Sequence, residues 1–246
     1  MSNVLSNSAR FAAMPLSGGG TPARVWLGAP ALPRLDLTAC PALVVVAPHP
    51  DDETLGLGAT IAQLVASGVA VKVVCVSDGG AAGASASGLV AARRRELLGA
   101  TKALGIAPPT FLGLPDGQLA DHEDELIESL AAILDCEAPG TWCAATWRGD
   151  GHPDHEAVGR AAAHACVRTG IALVEYPVWM WHWATPADPA VPWERAYSVP
   201  VADWARERKH HAAQGFRSQL DGDSEGPVLP QFVLRRLLAV GEVVFR

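Results

Sequence analysis

No stretch of this sequence is long and apolar enough to span a bilayer, and residues 1–20, MSNVLSNSARFAAMPLSGGG, lack the apolar core of a secretory signal. Charge is scarce too. The net charge is −7 and no basic run exceeds Arg93-Arg94-Arg95, which argues against a nucleic-acid binder working through a broad basic surface. The five cysteines, at 40, 75, 136, 143 and 166, are odd in number and never spaced CxxC. That excludes a disulfide frame and a thiolate zinc site, and reduced thiols of this kind suit the cytoplasm. There is no internal repeat and no P-loop, and the glycines of LGLGAT (55–60) fall inside a helical pattern, not at a strand-to-helix turn.

What the chain has is apolar bulk in a regular rhythm. Hydrophobic residues make up 49% of its 246 positions, enough for a sizeable core. The stretch SGGGTPA at 17–23 sets off a loose N-terminal segment, 1–23, from one α/β domain, 24–246. From there strands and helices alternate. ALVVVA (42–47) reads as a strand buried on both faces, because its apolar run is continuous. A helix from Thr54 to Ser67, a strand over 69–77 and a helix from Leu89 to Gly105 follow. Then come TFLGL (110–114), a helix from Asp121 to Asp135, WCAATW (142–147), a helix from Asp154 to Thr169, and IALVEY (171–176). This alternation predicts an α/β fold with a mostly parallel, Rossmann-like sheet and helices on both faces. The last third is irregular and rich in tryptophan and proline, with one helix expected from Ala202 to Leu220 and a final strand at 241–245.

In a parallel sheet, ligands bind beyond the carboxyl ends of the strands, so the loops leaving them carry the information. The first loop holds His49-Pro50-Asp51-Asp52-Glu53 and the second Arg148-Gly149-Asp150-Gly151-His152-Pro153-Asp154-His155. Each alone reads equally well as a helix cap, since acidic residues suit a helix N-terminus. Two such loops, both presenting His-Pro-Asp after a strand, point instead to one metal site. Two imidazoles and a carboxylate are a usual zinc set, with a fourth position left for water. His49 and Asp52 are three apart and face the same way from a first helical turn, and His155 completes the triad. Asp51 is then free to act as general base on the water. A protonated His152 is placed to stabilise an oxyanion and protonate a leaving amine, with Asp154 holding its ring. Glu53 is left as a cap or brace.

With Pro48-His49-Pro50-Asp51-Asp52-Glu53 and His152-Pro153-Asp154-His155 in place, the chain resembles the PIG-L/LmbE-like deacetylases over roughly residues 40–220. Arg93-Arg94-Arg95-Glu96-Leu97, GLPDGQL around Asp116, and Lys209 through Ser218-Gln219 extend the likeness. Phe216 stands near where many members carry histidine. The resemblance implies Zn²⁺ on His49, Asp52 and His155, Asp51 as base and His152 at the oxyanion. It implies an N-deacetylase whose partner is a small N-acetylated sugar or glycoconjugate. An amidase for a larger acyl group would use the same site.

Three secondary features carry two readings each. The arginines at 93–95 are a solvated cluster, or Arg93 binds substrate, the choice the resemblance favours. Asp116 caps a Pro-Asp-Gly turn or binds substrate. Trp179, Trp181 and Trp183 share one face if the chain is extended there, as a core or interface wall or as a sugar-stacking strip. Outside hydrolases, two histidines and a carboxylate also describe a non-haem Fe(II) oxygenase, which is commonly all-β, and a doubly wound sheet also hosts non-catalytic binding modules. The sequence does not set an oligomeric state.

Overall fold

The run of valines at 44–46 sends its side chains alternately to two separate cores, and this explains how the sheet is covered. The computed structural model describes residues 5–37, 40–81, 88–221 and 226–246. In it β1 (Ala42–Ala47) places Leu43 and Val45 in one core, and Val44 and Val46 in the other. The first core is walled by α3 (Asp52–Ala66) and α4 (Leu89–Leu104), through Leu57, Ile61, Leu64, Leu97 and Leu104. The second is walled by α5 (Glu123–Asp135) and α6 (Pro153–Thr169), through Leu126, Leu130, Leu134, Val158 and Ala162. A strand apolar on both faces is stable only with such cover on both sides.

Beside β1 lie β2 (Ala70–Ser77), β3 (Thr110–Leu114), β4 (Trp142–Thr146) and β5 (Ala172–Tyr176), all parallel. The order across the seven-stranded sheet begins β3-β2-β1-β4-β5. The chain therefore reverses its direction of travel between β1 and β4, and a crevice opens there at the carboxyl ends of both. The two His-Pro-Asp loops leave those two strands. The fold is the mostly parallel α/β sheet that the alternation predicted.

The last third is more regular than expected. It contributes β6 (Ala196–Val199) and β7 (Glu242–Phe245); β7 runs antiparallel to both β5 and β6. The helix expected from Ala202 to Leu220 is two, α8 (Asp203–Ala213) and α9 (Arg217–Leu220), broken where Phe216 turns fully inward. A further helix, α10 (Gln231–Ala239), went unread in the sequence. The tryptophans at 179–183 do not form an extended strip, because Met180–Trp183 is a short helix, α7. Trp181 packs edge-on to Trp26, while Trp183 turns to the loop after β4.

Residues 5–23, expected to be loose, pack on the body through α1 (Asn7–Ala12) and approach α2 (Ala23–Leu27). Their anchors are long-range bonds that composition does not reveal.

Helix α3 bends at Leu57, where φ is −132° and ψ is 17°. The bend frees the backbone N–H groups of Ala59 and Thr60, and both donate to the buried carboxylate of Glu242, at 2.9 and 2.7 Å. Lys209 Nζ, 2.8 Å from Glu242, balances that charge. A kink with an inserted side chain is an accounted-for break, not a weak helix. It lets the first turn of α3, with its carboxylates, aim into the crevice.

Candidate metal centre

His49 and Asp52 stand on the turn where β1 gives way to α3. Asp52 Oδ2 accepts the backbone N–H of His49 at 3.0 Å, upstream of the helix, while the N-cap residue Asp51 makes no side-chain cap bond. Between them Asp51 adopts φ 139°, outside the comfort of any side-chain-bearing residue. Backbone strain of this kind costs roughly 1–3 kcal/mol and persists only where the surroundings enforce it. Here Arg93 Nη2 donates to Pro50 O at 3.2 Å, Ser77 N donates to Pro48 O at 2.9 Å, and Glu53 Oε2 accepts Asp51 N at 3.3 Å. Glu53 is fully buried and also bonds Thr54 Oγ1, and burial raises its carboxyl to about 8. It braces the loop.

The second loop brings His155 into the same space from the first turn of α6. Asp150, also fully buried, orients it: Oδ2 accepts His155 Nδ1 at 2.8 Å. The same carboxylate accepts the backbone N–H groups of Val178, Trp179 and Met180, each at 2.9 Å. Asp150 thus ties the loop after β4 to the loop after β5. Nothing in its spacing assigns it this role beyond its place as an acid two residues before His152.

The tautomers follow from these partners. With its Nδ1 proton on Asp150, His155 presents a lone pair at Nε2, which has no hydrogen-bond partner although it lies 3.2 Å from Asp52 Oδ2. His49 gives its Nε2 proton to the carboxylates of Asp116 and Asp154, at 3.0 and 3.1 Å, and turns Nδ1 to Asp52 Oδ2 at 3.1 Å. Two imidazole lone pairs and an anionic oxygen therefore converge in a buried space. Such an arrangement is repulsive unless a positive charge sits among the three. Burial would lower the pKa of His155, but Asp52 and Asp150 outweigh it and raise it to about 9. The position calls for a cation, and two neutral imidazoles with one carboxylate suit zinc.

A second group, His49, His152 and Asp154, also lies close enough to share an ion. It fits poorly. His152 Nδ1 accepts the backbone N–H of Asp154 at 3.3 Å, so its proton is on Nε2 and no lone pair is left to offer.

That bond also corrects the reading of Asp154. Its carboxylate does not hold the His152 ring. At the second position of α6 it accepts Gly117 N at 2.8 Å and Leu119 N at 3.1 Å, and faces His49. Burial, then His155 and His49, lower the pKa of His152 to about 3, which favours its neutral form. Asp51 goes the other way: burial, then the charge of Asp52, raise it to about 7, with Arg93 opposing.

A cavity of about 270 Å³ opens over these groups, lined on its polar side by His49, Asp51, Asp52, Arg93, Asp116 and His152. Leu55, Val178, Trp179, Val228 and Leu229 form an apolar wall. Arg93 is not a solvated arginine. It is buried, bonds Gly79 O at 2.9 Å and lies 3.7 Å from Asp51 Oδ2, while its neighbour Arg94 pairs with Asp78 outside. Asp116 is committed to Ala81 N at 2.8 Å and to His49. Gln219 also lines the cavity, its Oε1 buried without a partner.

Replacing Asp150 by asparagine puts an amide NH₂ or a single carbonyl where three backbone donors and an imidazole N–H now converge. Metal affinity is expected to fall roughly 10–100-fold, as for other residues that orient a ligand from behind. Competition with a chromogenic chelator measures it, and unchanged affinity would remove Asp150 from the site.

Residues 44–166 match the family described as PIG-L, GlcNAc-PI de-N-acetylase. A 1D-myo-inositol 2-acetamido-2-deoxy-alpha-D-glucopyranoside deacetylase of Mycobacterium sp. (strain KMS) is 34% identical over 57% of this chain, which spans about half (54%) of that relative's length. A probable N-acetyl-alpha-D-glucosaminyl L-malate deacetylase 2 of Bacillus cereus is 32% identical over 51% of the chain and 61% of its own. Among solved structures, the zinc inhibited form of teicoplanin deacetylase Orf2 superposes with a TM-score of 0.62 at 21% identity, over 83% of this chain and 97% of its own, and so shares the fold.

Proposed function

From the premise that this chain belongs to the PIG-L family, we propose that it is a zinc-dependent hydrolase removing an acetyl group from the nitrogen of an amino sugar. The observation that carries the reading is the convergence of His49 Nδ1, Asp52 Oδ2 and His155 Nε2 at one buried place beside the cavity. Zn²⁺ held there by these three would acidify a water and polarise an acyl oxygen.

The remaining work falls to the chain's own side chains. Asp51, raised to about 7, accepts the proton of the attacking water and delivers it to the leaving nitrogen. A carboxylate with an ordinary pKa would be too weak a base to do the first step and too strong an acid to wait for the second. His152, neutral and protonated at Nε2, donates to the acyl oxygen as negative charge builds on it. Arg93 holds the Asp51 turn in its strained form and screens its charge. Asp116 and Asp154 keep His49 in the tautomer that offers Nδ1.

Among the described residues the charged lining consists of three acids, Asp51, Asp52 and Asp116, and an arginine already bonded to two carbonyls. With Zn²⁺ in place, its two positive charges and that of Arg93 offset these acids, so the lining does not by itself select between an uncharged polyol and a dicarboxylate. The apolar wall supports one second reading, an amidase for a longer acyl chain.

The test is acetate release from N-acetylglucosamine and its inositol and malate conjugates, with N-butyryl analogues alongside and zinc counted per chain. We expect one zinc and turnover that a chelator abolishes and zinc restores. Release of butyrate in preference to acetate would move the reading to the amidase. A zinc-loaded protein releasing neither would overturn it.

A further inference from the structure

The segment ahead of the family-matched region lies across the loop that carries His152. Asn7 Nδ2 donates to Gly149 O at 2.8 Å, and Ser8 Oγ donates to Glu156 Oε2 at 2.7 Å. The other oxygen of Glu156 accepts Gly151 N at 3.0 Å, so one carboxylate joins segment and loop. Phe11 sits over the loop, its ring 5.2 Å from that of Trp179 and 6.2 Å from that of His152. The approach is close enough that a Cβ on Gly151, where φ is already 96°, would come within 2.9 Å of Phe11 Cβ.

The rest of the segment is fastened to α7, on the neighbouring loop. Thr21 N donates to His182 O at 2.9 Å and Thr21 Oγ1 to Ala184 O at 2.6 Å. The His182 ring accepts from Arg236 at Nδ1 and donates to Met14 O, each at 3.0 Å. Arg10 pairs with the buried Asp188 and lies over the Trp183 ring, whose Nε1 donates to Asp150 O at 2.7 Å. Two loops of the cavity, after β4 and after β5, are thus bound by one strap.

We propose that residues 5–21 act as a clamp that fixes the His152 ring, with Asn7 and Phe11 as its positioning residues. The inference rests on the role given to His152 above. A donor to a developing oxyanion works only if its direction is fixed before the charge appears. Among the described residues the His152 ring takes one hydrogen bond, from Asp154 N, and it caps α6 from outside the helix, so its direction otherwise rests on packing against Phe11, His49 and His155. The contacts described for Asn7 and Phe11 go to Gly149, Trp179, His152 and His182, not to His49, Asp52 or the ring of His155, so substituting either one is expected to leave the zinc count unchanged.

Phe11→Ala in the full chain tests this in two ways. Carbethoxylation of His152, read by peptide mass spectrometry, is expected to accelerate about tenfold, with exposed His164 as the unchanged reference. For acetate release, kcat is expected to drop at least tenfold while KM stays within twofold and zinc remains at one per chain. Phe11→Leu, which keeps the apolar contact, should restore both. If Phe11→Ala does not fold, Asn7→Ala reads the same quantities at about threefold. A His152 rate within twofold of the parent in the variant that folds would overturn the clamp, even if turnover fell. If the parent releases no acetate at all, the deacetylase reading fails while the modification rate still decides the clamp.

Discussion

Asp51→Asn is expected to keep its zinc and lose its turnover. The side chain is not among the three converging donors, so the metal count stays at one per chain. The amide occupies the same space beside Arg93 and, like aspartate, belongs to the residue types enriched at positive φ, so the strained turn survives. What disappears is the ability to take and return a proton, worth about 10²–10⁴ in kcat for a general base. At about 1.4 kcal/mol per tenfold, that is a loss a steady-state acetate assay resolves easily. KM should change little, because the group acts on the water. Wild-type kcat in the zinc-loaded variant would sink the assignment of Asp51.

Asp52→Ala should give the opposite pattern. Its Oδ2 is the one anionic atom facing both His49 Nδ1 and His155 Nε2, and two neutral imidazoles alone hold zinc far more weakly than three donors. The affinity loss should exceed the roughly 10–100-fold of a supporting residue such as Asp150. The variant also leaves His49 N without its acceptor, about 1 kcal/mol by analogy with other lost caps. Zinc content after gel filtration, beside that of Asp51→Asn, separates the two roles. One zinc per chain at parental affinity would remove Asp52 from the metal.

Much of this was legible before any coordinates. The strand rhythm yields β1 through β5, because a buried parallel strand must be apolar on both faces and its connecting helix amphipathic. The two His-Pro-Asp loops point to one crevice because strand order places their strands together. What stayed hidden depends on long-range hydrogen bonds. Asp150 looks like one more loop acid until its carboxylate is seen to gather three backbone donors and an imidazole. Arg93 looks solvated because a run of arginines usually is; only the carbonyls of Gly79 and Pro50 show why it is buried. Asp154, two residues after His152, suggests itself as that ring's partner, whereas its position on α6 turns it to His49. The alternation of Trp179, Trp181 and Trp183 suggests a strand, but the chain turns helical there around Asp150. The N-terminal segment has the composition of a tail and the contacts of a structural element.

The placement of β1 beside β4 has a thermodynamic side. Asp52 and His155 are about a hundred residues apart along the chain, with β2, β3, β4 and the helices α4 and α5 between them. No locally collapsed fragment contains both, so the ion has nothing to prefer until those two strands are neighbours. Zinc held as proposed would then bind the native state and hardly the unfolded one. By mass action, free zinc at a thousand times its dissociation constant deepens the native well by about 4 kcal/mol, a sizeable share of a domain's whole stability. The ion proposed to equip the crevice for chemistry would thereby also latch the topology that formed it.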